Sequence, residues 1–170
     1  MDALRFEALP ALAEIGSLFR SQMPFPLWAP DGMLEAWKQA NISHVVCMQE
    51  AEEMERYCSI CLPTDCYDDE GFTFTWHSTP DHQGPADPEA FLADVRSVRE
   101  RLVAGENVVV HCQAGVGRTG TFLTALLMID GHPLPDALEH VRAASRHLKW
   151  AVNQSQMEFL ERFEAILPTH

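Results

Sequence analysis

His111-Cys112-Gln113-Ala114-Gly115-Val116-Gly117-Arg118-Thr119-Gly120 sets a thiol and a guanidinium on either side of a glycine-bearing bend. The apolar run Asn107–Val110 before it reads as a short buried strand, and Thr121–Ile129 after it reads as a buried helix, so the segment sits on a strand-loop-helix junction. The first N–H groups of a helix lack intrahelical partners, and its dipole places about half a positive charge there. Gly115 and Gly117 let the chain curl until successive N–H groups converge, and Arg118 can fork two hydrogen bonds onto the same anion. The bowl fits a tetrahedral oxyanion, lined by Gln113, Ala114, Gly115, Val116, Gly117 and Arg118.

The thiol gives that bowl a nucleophile. A helix N-terminus beside a cation favours the thiolate over the thiol, which points to Cys112 attacking phosphorus in line and forming a phosphocysteine. The N–H groups and Arg118 would stabilise charge on the equatorial oxygens, and the Thr119 hydroxyl can donate to the sulfur and make it a better leaving group in the second step. Each residue alone has a plainer explanation: a core cysteine, a surface cation, a loop glycine. The joint pattern is what carries the chemistry.

The stretch matches H-C-x5-R-[ST] and resembles the signature of the cysteine-based protein tyrosine phosphatases. A second segment, Thr79-Pro80-Asp81-His82-Gln83-Gly84-Pro85, is similar to the mobile acid loop of that family, in which an aspartate follows a proline. Asp81 is the candidate general acid, and the carboxylate left after proton donation can activate water. Between the two motifs, Asp87 and Pro88 read as a helix cap and first turn, Phe91, Val95, Val98 and Leu102 as a helical stripe, and Gly105 as its stop. The resemblance also implies a supporting role for His111 beside the loop. It further implies a water-positioning glutamine, or a glutamate as in some compact members, in the C-terminal helix four residues before a second glutamine. Aligning Gln156 with the second puts Val152 in the first place and leaves Gln154 as the nearby candidate.

Size and layout resemble the compact dual-specificity branch, with an α/β fold of four to five mostly parallel strands flanked by helices. Strands are expected at Phe25–Trp28, His44–Met48, Phe72–His77 and Asn107–His111. Helices are expected near Met33–Ala40, Ala51–Tyr57 and Pro88–Ala104, followed by one opened by Pro135 and one capped by Asn153. In that last helix Met157, Leu160, Phe163 and Ile166 form a core stripe. The implied substrates are phosphotyrosine proteins, with phosphoserine and phosphothreonine within reach of a shallow pocket. Phosphoinositides and RNA 5′-phosphates stand as alternative substrates, and a phosphate-binding module or a sulfur or arsenic redox enzyme as alternative classes. Lysines inside this loop, frequent in relatives acting on inositol lipids, are replaced here by the uncharged Gln113 and Val116.

Composition fits one domain over residues 1–170, with 46% hydrophobic and 22% charged residues. A formal net charge of −13, from 25 acidic and 12 basic residues, opposes nucleic acid and anionic membranes as partners. The locally positive pocket would rest on Arg118, with Arg142, Arg146, His147 and Lys149 as a rim. The longest apolar span is short of the ~20 residues a membrane helix needs, which leads to a cytoplasmic expectation. Five cysteines without a secretory signal argue against a disulfide framework. Cys58-x2-Cys61 with Cys66 lacks the second pair of a structural zinc site, and no metal or organic cofactor is expected because thiolate, guanidinium and carboxyl supply nucleophile, electrophile and acid. The resemblance raises a reversible Cys47–Cys112 disulfide as a protective device.

Overall fold

The computed structural model describes residues 6–12, 17–24, 32–57 and 63–169. Its centre is β5, Asn107–His111, whose valines 108 to 110 are fully buried. Consecutive buried β-branched residues belong to a strand covered on both faces, as in a parallel sheet between helix layers. On one side β5 pairs with β3 (His44–Cys47), and β3 pairs in turn with β4 (Thr73–Trp76). On the other side lies β2 (Ser17–Ser21), edged by β1 (Phe6–Ala8). The order is β1-β2-β5-β3-β4, with only the β1–β2 pair antiparallel. The mostly parallel sheet of four to five strands expected from the sequence has five, with β3, β4 and β5 at the expected places.

Alternation along the strands divides the core. Val46, Val108 and Val110 join the cluster under α4 (Pro88–Val103), α5 (Gly117–Ile129), α6 (Leu134–Ala144) and α7 (Gln154–Ile166), around Phe91, Phe122, Phe159 and Phe163. Val45, Cys47 and Val109 face the other cluster, built on Trp37 of α1 (Met33–Gln39), Met54 of α2 (Ala51–Tyr57) and Tyr67 of α3 (Pro63–Asp69). Asp87 caps α4 by accepting from Glu89 N and Ala90 N at 3.0 and 3.2 Å. Asn153 caps α7 in a reciprocal box with Gln156.

Three elements went unread in the sequence. In β2 the buried positions include Arg20 and Ser21, so polar side chains occupy inward sites and the apolar alternation disappears. β1 has only three residues. α3 is acidic and carries no apolar stripe, with Cys66 and Tyr67 its buried residues among those described. The α5 helix also starts four residues earlier than the apolar run suggested, at Gly117 in place of Thr121. The strand expected at Phe25–Trp28 lies outside the described residues, as do Cys58 and Cys61 of the cysteine cluster.

The parallel strands aim their carboxyl ends at one edge of the sheet. From that edge leave the loops carrying Cys112, Gln49 and Glu50, His77 to Asp81, and Ser21 to Pro24, which is where open α/β sheets place their ligands.

Candidate active site

Cys112 follows the end of β5 and is 3% exposed. The Thr119 hydroxyl donates to its sulfur across 3.2 Å, the contact expected from the sequence. Arg118 and Thr119 belong to the first turn of α5, so thiol and guanidinium both stand at that helix N-terminus, as the motif requires. Gly115 takes φ +74°, and a β-carbon there would come within 2.4 Å of the Ser21 carbonyl oxygen, so only glycine fits this bend.

Arg118 is 1% exposed and pinned by groups the sequence did not advertise. Its Nη1 and Nη2 make a fork onto the Glu53 carboxylate at 2.5 and 2.7 Å, and Nη1 also donates to Met48 O and Thr79 O at 3.3 and 2.8 Å. Burial is the largest single influence on the Glu53 carboxyl and opposes its charge, but the hydrogen bond and charge of Arg118, with hydrogen bonds from Glu50 N and Gln49, together hold it below its usual range. Burial likewise opposes the Arg118 charge, and the Glu53 hydrogen bond with the charges of Cys112, Glu53 and Asp81 raises its pKa above the ordinary value. The Arg118 Nε is buried without a protein acceptor. A buried donor left unpaired is costly, and an anion in the adjoining bowl would satisfy it.

Asp81 reaches the same guanidinium, with Oδ1 3.3 Å from Arg118 Nη2, while its carboxylate remains 45% exposed. His82, at φ +63°, donates its backbone N–H to Asp81 Oδ1 at 2.9 Å and sets its own ring nitrogen 3.5 Å from Oδ2. Asn153 Nδ2 donates to His82 O at 2.8 Å and thereby ties the acid loop to the start of α7. The side chains of Cys112, Thr119, Arg118 and Asp81 are therefore assembled in one place.

His111 is fully buried, and burial drives its pKa down to about 4, with the Cys112 backbone bond and Glu53 acting the other way and Arg118 adding to the fall. The neutral ring has one N–H. Nδ1 donates it to Cys112 O at 3.2 Å, so Nε2 accepts from the Tyr67 hydroxyl at 2.5 Å. The buried ring thereby fixes the Cys112 carbonyl.

Other expectations fall differently. Gln154 is exposed and turns its amide to Glu158 at 3.3 Å, so it does not join the loop. Gln156 does: it is 1% exposed, its Oε1 accepts from Asn153 N, and its Nε2 lies where a Gly117 β-carbon would come within 3.1 Å. Val152 is buried at φ +69°. Arg142 is no rim residue, because its guanidinium is committed to Ala151 O and Val152 O at 3.0 Å each. Cys47 and Cys112 pack into different core clusters on the two sides of the sheet. Glu53, Tyr67 and Arg20, whose spacing to either motif carries no pattern, are the residues around the site that the sequence did not reveal. Among the described residues there is no cluster of three metal-binding side chains and no helix long and apolar enough to cross a membrane.

Known proteins bear on this geometry. Over 58 residues, 32% of the chain, it is 45% identical to receptor-type tyrosine-protein phosphatase V of Rattus norvegicus, and the match spans 3% of that protein. Over 66 residues, 35% of the chain, it is 42% identical to tyrosine-protein phosphatase corkscrew of Drosophila melanogaster, spanning 8% of that protein. The chain thus matches only a small part of these relatives' length. Among solved structures, Tk-PTP in its active form superposes with a TM-score of 0.71 at 27% identity, covering 92% of this chain and 95% of that one. Kinase-associated phosphatase with its catalytic-site cysteine replaced by serine gives a TM-score of 0.82 at 18% identity, over 98% and 96% of the two chains, a likeness of fold. The profile of the family described as "Polymorphic toxin system, DSP-PTPase phosphatase" matches residues 27–132, well over half of the sequence. The chain therefore belongs to this Tc-R-P family, within the compact, dual-specificity-like branch of the cysteine-based protein tyrosine phosphatases.

Proposed function

We propose that the protein hydrolyses phosphomonoesters, phosphotyrosine in proteins first among them, through a phosphocysteine on Cys112. The observation that carries this reading is the buried Arg118 Nε with no protein acceptor, beside a sulfur already held by Thr119 and within reach of Asp81. A phosphoryl oxygen would take that donor. Cys112 attacks phosphorus as the P–O bond to the leaving group breaks, and Asp81 gives its proton to the departing oxygen. Water then attacks the phosphocysteine, Asp81 takes up its proton, and the sulfur leaves as thiolate with the Thr119 hydroxyl supporting it. Gln156, beside Gly117, is placed to orient that water. No step calls on a metal or organic cofactor.

The test is hydrolysis of an aryl phosphate with vanadate as inhibitor. Cys112→Ser is expected to abolish turnover and keep phosphate binding, whereas Arg118→Ala loses both. Asp81→Asn should cost 10²- to 10⁴-fold for ordinary leaving groups and far less for very acidic ones, which need no proton. Equal losses across leaving groups would remove Asp81 from the acid role. A phosphoinositide substrate is a second reading, favoured by one fold likeness: PTPMT1, solved in complex with PI(5)P, superposes with a TM-score of 0.73 at 19% identity. Phosphotyrosine peptides, phosphoserine peptides, phosphoinositides and RNA 5′-phosphates assayed side by side separate the substrate classes.

A further inference from the structure

Three consecutive carbonyls of the phosphate loop accept hydrogen bonds from residues 20 and 23, at and just past the end of β2. Gln113 O accepts from Met23 N at 3.0 Å, Ala114 O from Arg20 Nη2 at 3.1 Å, and Gly115 O from Arg20 Nε at 2.7 Å. In a planar trans peptide the C=O of one residue and the N–H of the next point in opposite directions. Holding these three oxygens toward β2 turns the N–H groups of Ala114, Gly115 and Val116 away from β2, into the interior of the loop.

We propose that Arg20 is a positioning residue of the phosphate loop, its guanidinium fixing the two peptides that follow Ala114 and Gly115 so that their N–H groups face the bound phosphoryl group. This rests on the phosphatase reading above. The chemistry of the side chain fits the task. Nε and Nη2 lie on one edge of a rigid planar fork and reach two carbonyls one residue apart, which a lysine ammonium cannot do at fixed geometry. The strand register brings Arg20 opposite Val110, two residues before Cys112. Arg20 is fully buried, and its Nη1 is ion-paired to Glu7 Oε1 at 3.1 Å. Glu7 in turn accepts from Ser145 Oγ, so the brace runs from β1 through the loop to the turn before residues 146–148. The contact is close enough that a β-carbon on Gly115 would lie 2.6 Å from Arg20 Nη2.

The experiment measures kcat, KM and the vanadate inhibition constant on an aryl phosphate for wild type, Arg20→Met, Arg20→Lys and Glu7→Gln, with thermal melts to give the folded fraction. A smaller folded fraction lowers apparent kcat and leaves KM and the inhibition constant alone, so these two report loop geometry. Both Arg20 variants are expected to weaken vanadate binding by on the order of tenfold or more, because oriented donors act on the equatorial oxygens. Arg20→Lys should fail to rescue, since it keeps the charge and loses the fork. Glu7→Gln keeps the fork without its counter-charge and should weaken vanadate by a smaller factor, about two- to fivefold. Wild-type inhibition constants in the folded Arg20 variants overturn the proposal. Should neither Arg20 variant fold, an unchanged inhibition constant in Glu7→Gln overturns it. If the wild-type protein neither hydrolyses the ester nor binds vanadate, the phosphatase reading itself fails, a result distinct from equal behaviour of wild type and variants.

Discussion

Glu53 governs how much of Arg118 is available to a ligand. With both Nη groups committed to its carboxylate and to two backbone carbonyls, the guanidinium has little rotational freedom, and Nε is left without a protein acceptor. Ordering an arginine side chain on binding is entropically expensive, and here that cost is met on folding. Replacing Glu53 by Gln removes the charge from a fork of charge-assisted bonds, each contributing ~1.5–3 kcal/mol. We expect kcat/KM to fall by roughly 10- to 100-fold, with vanadate weakened in parallel, as steady-state kinetics would show. An unchanged vanadate constant would mean that the clamp is dispensable. Cys112, Arg118, Thr119 and Asp81 were legible from the sequence as candidates because one strand-loop-helix junction carries the first three and a proline marks the fourth. Glu53 lies 65 residues from Arg118, and no local pattern ties them.

Among the elements, α7 does two tasks through one residue. Asn153 caps it, accepting from Gln156 N at 2.9 Å, and the other end of the same amide holds His82 O. Asn153→Ala removes both contacts, so stability should drop by ~1 kcal/mol and the acid loop should lose an anchor. Asn153→Ser keeps a capping oxygen but is too short to reach His82, so its melting temperature should stay close to wild type while kcat falls several-fold. Loss of kcat tracking loss of stability across the two variants would reduce Asn153 to a cap. Gly84 makes a related contact: a β-carbon there would sit 2.3 Å from the Phe159 Cβ, so the acid loop rests directly on α7. Gly84→Ala should push that loop off the helix and lower kcat more than it raises KM for vanadate-sensitive turnover. The cap and the helix stripe were readable from Asn153 and from the spacing of Leu160 and Phe163, because helix ends and amphipathic faces are local. The landing of the acid loop on α7 was not.

Over the whole molecule, the sheet carries buried titratable groups that link stability to pH. Burial lowers the pKa of both His111 and His44 to about 4 from an ordinary value near 6.5. Below pH 6.5 the unfolded chain binds protons that the folded protein refuses, so stability is full above that pH and is lost as pH falls toward 4. For the fully buried His111 the loss is roughly 3 kcal/mol at the bottom of that window. Urea melts between pH 7.5 and 4.5 should show the decline, and His111→Asn should flatten it; an identical slope in that variant would exclude His111 as a source. The net charge of −13 leaves a field that repels polyanions, so the positive bowl must act at short range, through Arg118 and the start of α5.

By itself the sequence determined the strand-helix alternation and singled out Cys112, Arg118, Thr119 and Asp81 as the candidate site, since each signal depends on residues within a turn or a helix of one another. It also carried the central strands, because short β-branched runs bounded by turn residues favour a strand covered on both faces. Tertiary structure alone decided which side chains hold the loop and its arginine. Glu53, Tyr67 and Arg20 reach the site across 65, 44 and about ninety-five residues of chain, brought there by the parallel packing of β2, β3 and β5. It decided as well that Gln156 and not Gln154 meets the loop, because the reciprocal cap with Asn153 turns that amide inward. Sheet pairing sets such contacts, and a pairing between distant segments leaves no periodic trace in the chain that makes it.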